Sequence, residues 1–178
     1  DALHPGSAYG EAKRAAEQWC LQYGQQHDIA IPVARCFAFV GATLPLDGHF
    51  AIGNFIRDAL AGQTIQVSGD GSPLRSYLYG ADLAIWLLTL LLQGQHGRAY
   101  NVGADQALSI AELAHQVRDT LAPAAAVHIA RGHDDKAGRN RYIPSIQRAR
   151  HELALDAWTP LEQAIRLTAE LAAPEPQP

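Results

Sequence analysis

No methionine occurs anywhere in the 178 residues, not even at position 1, and Asp1 is not a residue that initiator-methionine removal normally leaves exposed. The chain also opens almost directly on a helical pattern, with no strand ahead of it. Both absences create the expectation of a fragment whose amino-terminal portion is missing. Cysteine is scarce too. Cys20 and Cys36, the only two, fall in apolar stretches, and the expectation is buried free thiols in a reducing compartment, the cytoplasm. No apolar run approaches the ~20 residues that span a bilayer. The strongest, Ala84 to Leu92, reads as a core helix, and no signal-peptide pattern is visible. Neither sign of charge dominates: 14 Lys+Arg against 18 Asp+Glu, scattered, leave a net −4. That balance gives no electrostatic reason to expect nucleic acid or an anionic membrane as partner.

What is present is ordinary for a globular chain large enough to bury a core: 48% hydrophobic and 18% charged residues. The pattern alternates. A helix is expected from Ser7 to His27, with Ala12, Ala16, Trp19, Cys20 and Tyr23 on its apolar stripe. The nearly continuous apolar run Ile29–Val40 predicts a strand buried on both faces, with Pro32 near its start. Further helices are expected over Phe50–Ala61 (ended by Gly62), Asp82–Leu92 (opened by Asp82), and Ser109–Thr120, where Ser109 and Glu112 form a capping box. A short helix from Ser145 and a last one from Leu161, with Pro160 in its first turn, follow. Strands are expected at Thr64–Val67, Leu74–Tyr79, Arg98–Val102, Val127–Ala130 and Arg141–Ile143, with a turn at Ser68–Pro73. The Ala173–Pro178 tail is expected to be disordered. Alternation throughout makes the class α/β.

Tyr9 and Lys13 stand four residues apart near the start of the first helix, so phenol and ammonium share one face. An adjacent ammonium favours the phenolate form and makes such a tyrosine usable as a general base. The spacing by itself equally suits a half-buried aromatic beside a solvated charge.

Later blocks extend the pattern: Arg35-Cys36-Phe37-Ala38-Phe39-Val40-Gly41, then Gly69-Asp70-Gly71-Ser72-Pro73-Leu74-Arg75-Ser76-Tyr77-Leu78-Tyr79, then Asp82-Leu83-Ala84, then Tyr100-Asn101-Val102-Gly103. With Tyr9 and Lys13 this order, across roughly residues 4 to 170, resembles the carboxy-terminal half of the extended short-chain dehydrogenase/reductases, the NAD-dependent sugar-nucleotide epimerases, dehydratases and decarboxylases. The resemblance implies the carboxy-terminal part of a Rossmann-like NAD(P)-binding fold plus a small mixed α/β sugar-nucleotide-binding domain. It divides the chain into 1–45 (catalytic helix and a core strand), 46–172 (mainly the substrate-binding subdomain, with returning Rossmann elements) and the tail 173–178. It implies NAD as cofactor, a nucleotide-diphosphate sugar as substrate, and a homodimer formed through the helix of Tyr9 and Lys13, on which Ala15, Trp19 and Tyr23 offer apolar surface.

In that resemblance Tyr9 takes the proton from a sugar hydroxyl, usually at C4, while hydride leaves that carbon for NAD⁺. Lys13 hydrogen-bonds the nicotinamide ribose and supports the phenolate, and a 4-keto sugar results. Epimerisation, dehydration and decarboxylation all remain open from there, although Tyr-Gly-Glu-Ala-Lys-Arg is close to the decarboxylase form. A non-catalytic nucleotide-sugar binding module is the reading from another class, and the 178 residues alone are expected to bind NAD negligibly. Arg75 is implied at the diphosphate, where a guanidinium fork suits phosphate oxygens; a strand arginine merely facing water is the alternative. Asn54 matches a substrate-contacting helix position, or bonds its own backbone. Arg141 is a second diphosphate candidate, and Asn101 ties strand to loop. Two departures bear on substrate identity. Ala38 and Ala42 replace the Asn and Pro of many relatives, and Ser76 replaces an Asp. His128, His133, Asp134 and Asp135 lack ligand spacing on any regular element, so no metal is expected.

Overall fold

The computed structural model describes residues 8–130 and 140–172. Helix α1 (Ala8–His27) is alanine-rich and ends where Asp28 turns left-handed, at φ 55°, so that the Ile29 N–H reaches back to the Gly24 carbonyl at 2.9 Å. Then come β1 (Val33–Cys36), β2 (Phe39–Val40), α2 (Ala51–Leu60), β3 (Ile65–Val67), β4 (Leu74–Arg75), β5 (Leu78–Tyr79), α3 (Gly80–Gln93), β6 (Ala99–Val102), β7 (Leu108–Ser109), α4 (Ile110–Leu121), β8 (Val127–Ile129), β9 (Arg141–Tyr142), α5 (Gln147–Leu153) and α6 (Leu161–Ala172). The expected α/β class is what is found.

The strands form small sheets. β1 pairs with β6, β2 with β5 and β3 with β8, all in parallel. β4 lies between antiparallel β7 and parallel β9. Two cores result. One joins α2, β3, α4 and α6 through Ile52, Ile56, Ile65, Leu113, Val117 and Ile165. The other joins β5, α3, β6 and α5 through Leu78, Trp86, Tyr100, Val102, Ile146 and Leu155. Ser109 and Glu112 do form the capping box of α4. Gly62, just beyond α2, adopts φ +64°, the left-handed conformation for which glycine carries no Cβ penalty.

Several expectations are corrected. The run 29–40 is not one strand buried on both faces. It breaks at Phe37–Ala38, and Ala34, Arg35 and Cys36 are exposed. Among the described residues β1 pairs with β6 alone, so one edge and much of its surface lack a covering layer. The cysteines are exposed rather than buried, because they lie on α1 and β1, the two least covered elements. The expected stripe of α1 faces solvent, with Trp19 74% and Tyr23 55% exposed, while Glu17, Leu21 and Gly24 turn inward. The segment 74–79 splits into β4 and β5, and β7 was not anticipated. α3 begins at Gly80, so Asp82 lies in its first turn instead of capping it, and Asp82, Trp86 and Leu90 face inward. Leu88, Leu91 and Leu92 stay 59%, 74% and 78% exposed, which makes α3 a helix with one buried stripe rather than a core helix. The tail 173–178, and His133, Asp134 and Asp135, lie outside the described residues. Among the described residues no helix is long and apolar enough to cross a membrane.

Candidate active site

α1 and β1 diverge around a cleft of about 780 Å³, lined by Tyr9, Lys13, Glu17, Arg35, Cys36 and Tyr142 among others. The 3.6-residue period accounts for part of this lining. Tyr9, Lys13 and Glu17, four apart, rotate only ~40° per step around the helix axis. The Lys13 ammonium stands 5.5 Å from the centroid of the Tyr9 ring. Tyr9 is 76% exposed, so the phenol is presented to the cleft and to anything that enters it.

Tyr142 of β9 closes the far side, and β4 lies behind it. The parallel register of these two strands places Arg75 opposite Tyr142. The Arg75 guanidinium lies 6.0 Å from the Tyr142 ring centroid, and that ring packs at 4.7 Å against Phe37. Arg75 Nη1 donates to the carbonyls of Leu74 (2.8 Å) and Asn140 (3.1 Å), which anchors the side chain at its base. Arg75 thus lies behind Tyr142 and does not itself line the cleft of Tyr9 and Lys13. Next to it, burial pushes the Tyr77 phenol up to about 12 against the opposing charge of Arg75. The Gly69–Ser72 stretch is the expected turn: Asp70 Oδ1 accepts from the Ser72 N–H at 3.0 Å and from its hydroxyl at 2.9 Å.

Asn54 goes elsewhere. It lines a second pocket, of about 280 Å³, with His49, Gln66, Gly69 and Gly71, and its Oδ1 accepts from Arg57 Nη1 at 3.1 Å rather than serving its own backbone. Arg141 is exposed on β9, beside Tyr142 and in register with Leu74. Asn101 does tie strand to loop, donating from Nδ2 to the Ser145 carbonyl at 3.1 Å. His128 Nδ1 lies 3.1 Å from Gln66 Oε1.

Sequence reasoning missed Glu17, Arg35 and Tyr142. Arg35 Nε and Nη2 donate to the two Glu17 carboxylate oxygens at 2.8 and 2.7 Å, a bidentate fork. The Arg35 hydrogen bonds hold Glu17 below the usual carboxylate range, and the same contact raises Arg35. A spacing signal existed for Glu17, four residues beyond Lys13. For Tyr142 there was none, because its place depends on strand pairing across 67 residues. Cys36 lines the cleft wall, where desolvation pushes its thiol up.

A model of the NAD dependent epimerase/dehydratase family matches residues 1–103. Among curated proteins the chain is similar to UDP-glucuronic acid decarboxylase 1 of Danio rerio, 29% identical over 94% of this chain and 40% of that one. It is also similar to UDP-glucuronic acid decarboxylase 3 of Arabidopsis thaliana, 29% identical over 92% of this chain and 47% of that protein. The chain thus spans less than half the length of these relatives. Among solved structures it resembles a UDP-glucose 4-epimerase with UDP-glucose from Thermotoga maritima, with a TM-score of 0.77 at 20% identity, over 92% of this chain and 52% of that one.

Proposed function

This chain belongs to the NAD dependent epimerase/dehydratase family, and on that basis we propose that it carries the proton-transfer and substrate-anchoring side of a sugar-nucleotide oxidation site. The observation that carries this reading is the shared cleft. Tyr9 and Lys13 form one wall, and Tyr142, with Arg75 behind it, forms the other. The donor set fits NAD: an ammonium with three N–H donors stands beside a phenol at an open cleft of about 780 Å³. Lys13 would hold the nicotinamide ribose, with the Tyr9 hydroxyl beside it. NAD, when bound, supplies the hydride acceptor. Tyr9 would take the proton of the sugar C4 hydroxyl, with the Lys13 ammonium beside it on the same face of α1. Arg75 would meet the diphosphate with its free guanidinium edge, and the exposed Arg141 of β9 would add a second cation. Asn54 would contact the substrate only from the second pocket.

Within this class the favoured reaction is decarboxylation of UDP-glucuronic acid through a 4-keto intermediate. Oxidation at C4 places a ketone β to the carboxylate on C5, so carbon dioxide leaves with the C–C electrons drawn into the ketone; the resulting enolate takes a proton at C5, and return of the hydride to C4 gives the UDP-pentose. The support is the name shared by the relatives of fish and plant. Epimerisation or dehydration of a nucleotide hexose is the second reading, supported by the fold likeness to an epimerase. The division at residue 45 and a homodimer through the exposed Trp19 and Tyr23 of α1 belong to the same proposal.

Tyr9→Phe in the intact protein tests it, with NAD and UDP-glucuronic acid supplied and products read by NMR. Loss of general base function removes about 10²–10⁴ of turnover while NAD binding, read by calorimetry, persists. Equal turnover by both proteins removes Tyr9 from the role. A UDP-pentose product with carbon dioxide marks decarboxylation, and a retained carboxylate with turnover marks the second reading.

A further inference from the structure

We propose that Glu17 and Arg35 form a clamp that sets the rotation of α1 and thereby positions Tyr9 and Lys13. This rests on the reading of that pair just given. α1 is twenty residues long, yet Gly24 is its only buried residue, with Glu17 and Leu21 half-buried. Its carboxy-terminal end is fixed in two ways. The Ile29 N–H closes on the Gly24 carbonyl, and Gly24 lies so close to the next segment that a Cβ would meet Ile31 Cγ1 at 2.6 Å and the Ile29 carbonyl oxygen at 2.7 Å. Toward the amino end, where Tyr9 and Lys13 sit, that packing stops.

Among the described residues the Arg35–Glu17 fork is the side-chain hydrogen bonding that ties α1 to a strand. Two parallel N–H···O bonds fix an angle as well as a distance, which a single contact does not. Glu17 is one helical turn from Lys13 and two from Tyr9, so a fixed azimuth at Glu17 fixes theirs. The strand end of the clamp is itself secured: β1 pairs with β6 in register, with Arg35 opposite Asn101.

Magnitude separates positioning from stability. The side chains of Arg35 and Glu17 are 53% and 24% exposed, and ion pairs this wet contribute little to folding. Misplacing a reacting group by ~1 Å costs about 10²-fold in rate. The clamp therefore acts on catalysis far more than on folding.

The test compares Glu17→Gln, Arg35→Lys and the exchanged pair Glu17→Arg/Arg35→Glu with the parent in the intact protein. Amide hydrogen exchange of residues 9–20, melting temperature, and kcat and KM with NAD and UDP-glucuronic acid are measured, with Tyr9→Phe in parallel. The expected result is exchange at least ~10-fold faster in both single variants, kcat lower by ~10- to 100-fold with KM within about threefold, nearly unchanged melting, and recovery of exchange and kcat in the exchanged pair. Parental exchange in the single variants overturns the proposal, as does lost kcat that the exchanged pair fails to restore. A Tyr9→Phe protein that still turns over sinks the catalytic reading instead, and the exchange data then decide the clamp by themselves.

Discussion

Asp82, in the first turn of α3, accepts two hydrogen bonds from Thr159, 77 residues later: the backbone N–H at 2.9 Å and the hydroxyl at 3.0 Å. Asp82 is 4% exposed, so Thr159 is the group that compensates its carboxylate's loss of water. This pair fastens α3, beside the second core, to the segment that starts α6, in the first. Thr159→Val keeps the shape and removes the hydroxyl donor, leaving a buried acceptor underused. The expected loss is about 1–3 kcal/mol of unfolding free energy in urea titration, and Asp82→Ala should cost at least as much. No loss from either would mean that the carboxylate is satisfied by water.

Arg75 should matter to binding rather than to folding. Arg75→Lys keeps one charge but loses the planar fork and its place over Tyr142. We expect KM for UDP-glucuronic acid to rise about 10-fold, with melting temperature within a degree or two of the parent. An unchanged KM would return Arg75 to the status of a solvated strand arginine.

Gly94 closes α3 where Pro32 approaches. A Cβ there would stand 2.6 Å from Pro32 Cβ and 2.4 Å from the Leu90 carbonyl oxygen. Gly94→Ala must push α3 and the start of β1 apart, at about 1–3 kcal/mol. Thermal melts would read this directly, and an unchanged midpoint would show that the approach is loose.

Acid should weaken the fold. Glu17, Glu152 and Asp156 all lie below their ordinary values of 4.5, 4.5 and 3.8, the first cause in each being hydrogen bonds from Arg35, Arg98 and Arg150 respectively. The Tyr100 hydroxyl adds a further donor to Glu152 at 3.0 Å. Folded values below unfolded ones mean that the unfolded chain binds protons first as pH falls. The stabilisation is therefore complete above those ordinary values and is lost as pH descends through the lowered ones. Melting midpoints should be flat from pH 7 to about 5 and fall steadily below ~4. Glu152→Gln should shallow that slope, and an identical slope would remove Glu152 from the account.

Most elements were legible because their signals are local. The capping box of Ser109 and Glu112, Gly62 after α2, and the alternation of apolar runs need only a few neighbouring residues. Faces were less legible. α3 is apolar nearly all round, so periodicity could not tell that Trp86 and Leu90 would be buried while Leu91 and Leu92 would not. α1 carries Ala, Trp and Tyr on the side that stays exposed, while its inward side is made by Glu17, Leu21 and Gly24, a set that hydrophobic patterning does not read as a buried face. The run Ile29–Val40 is apolar enough for a central strand, but burial of a strand is decided by what lies beside and above it.

The sequence by itself determined the α/β class and the family kinship, and helix spacing alone puts Tyr9 and Lys13 on one face of α1. Only the tertiary structure decided which partners those residues meet. Arg75 stands behind the cleft residue Tyr142 because β4 and β9 pair in one register. Glu17 finds Arg35 because the chain turns at Asp28 and brings β1 back past α1. Contacts across tens of residues depend on strand pairing and chain reversal, and no local pattern of residues encodes them.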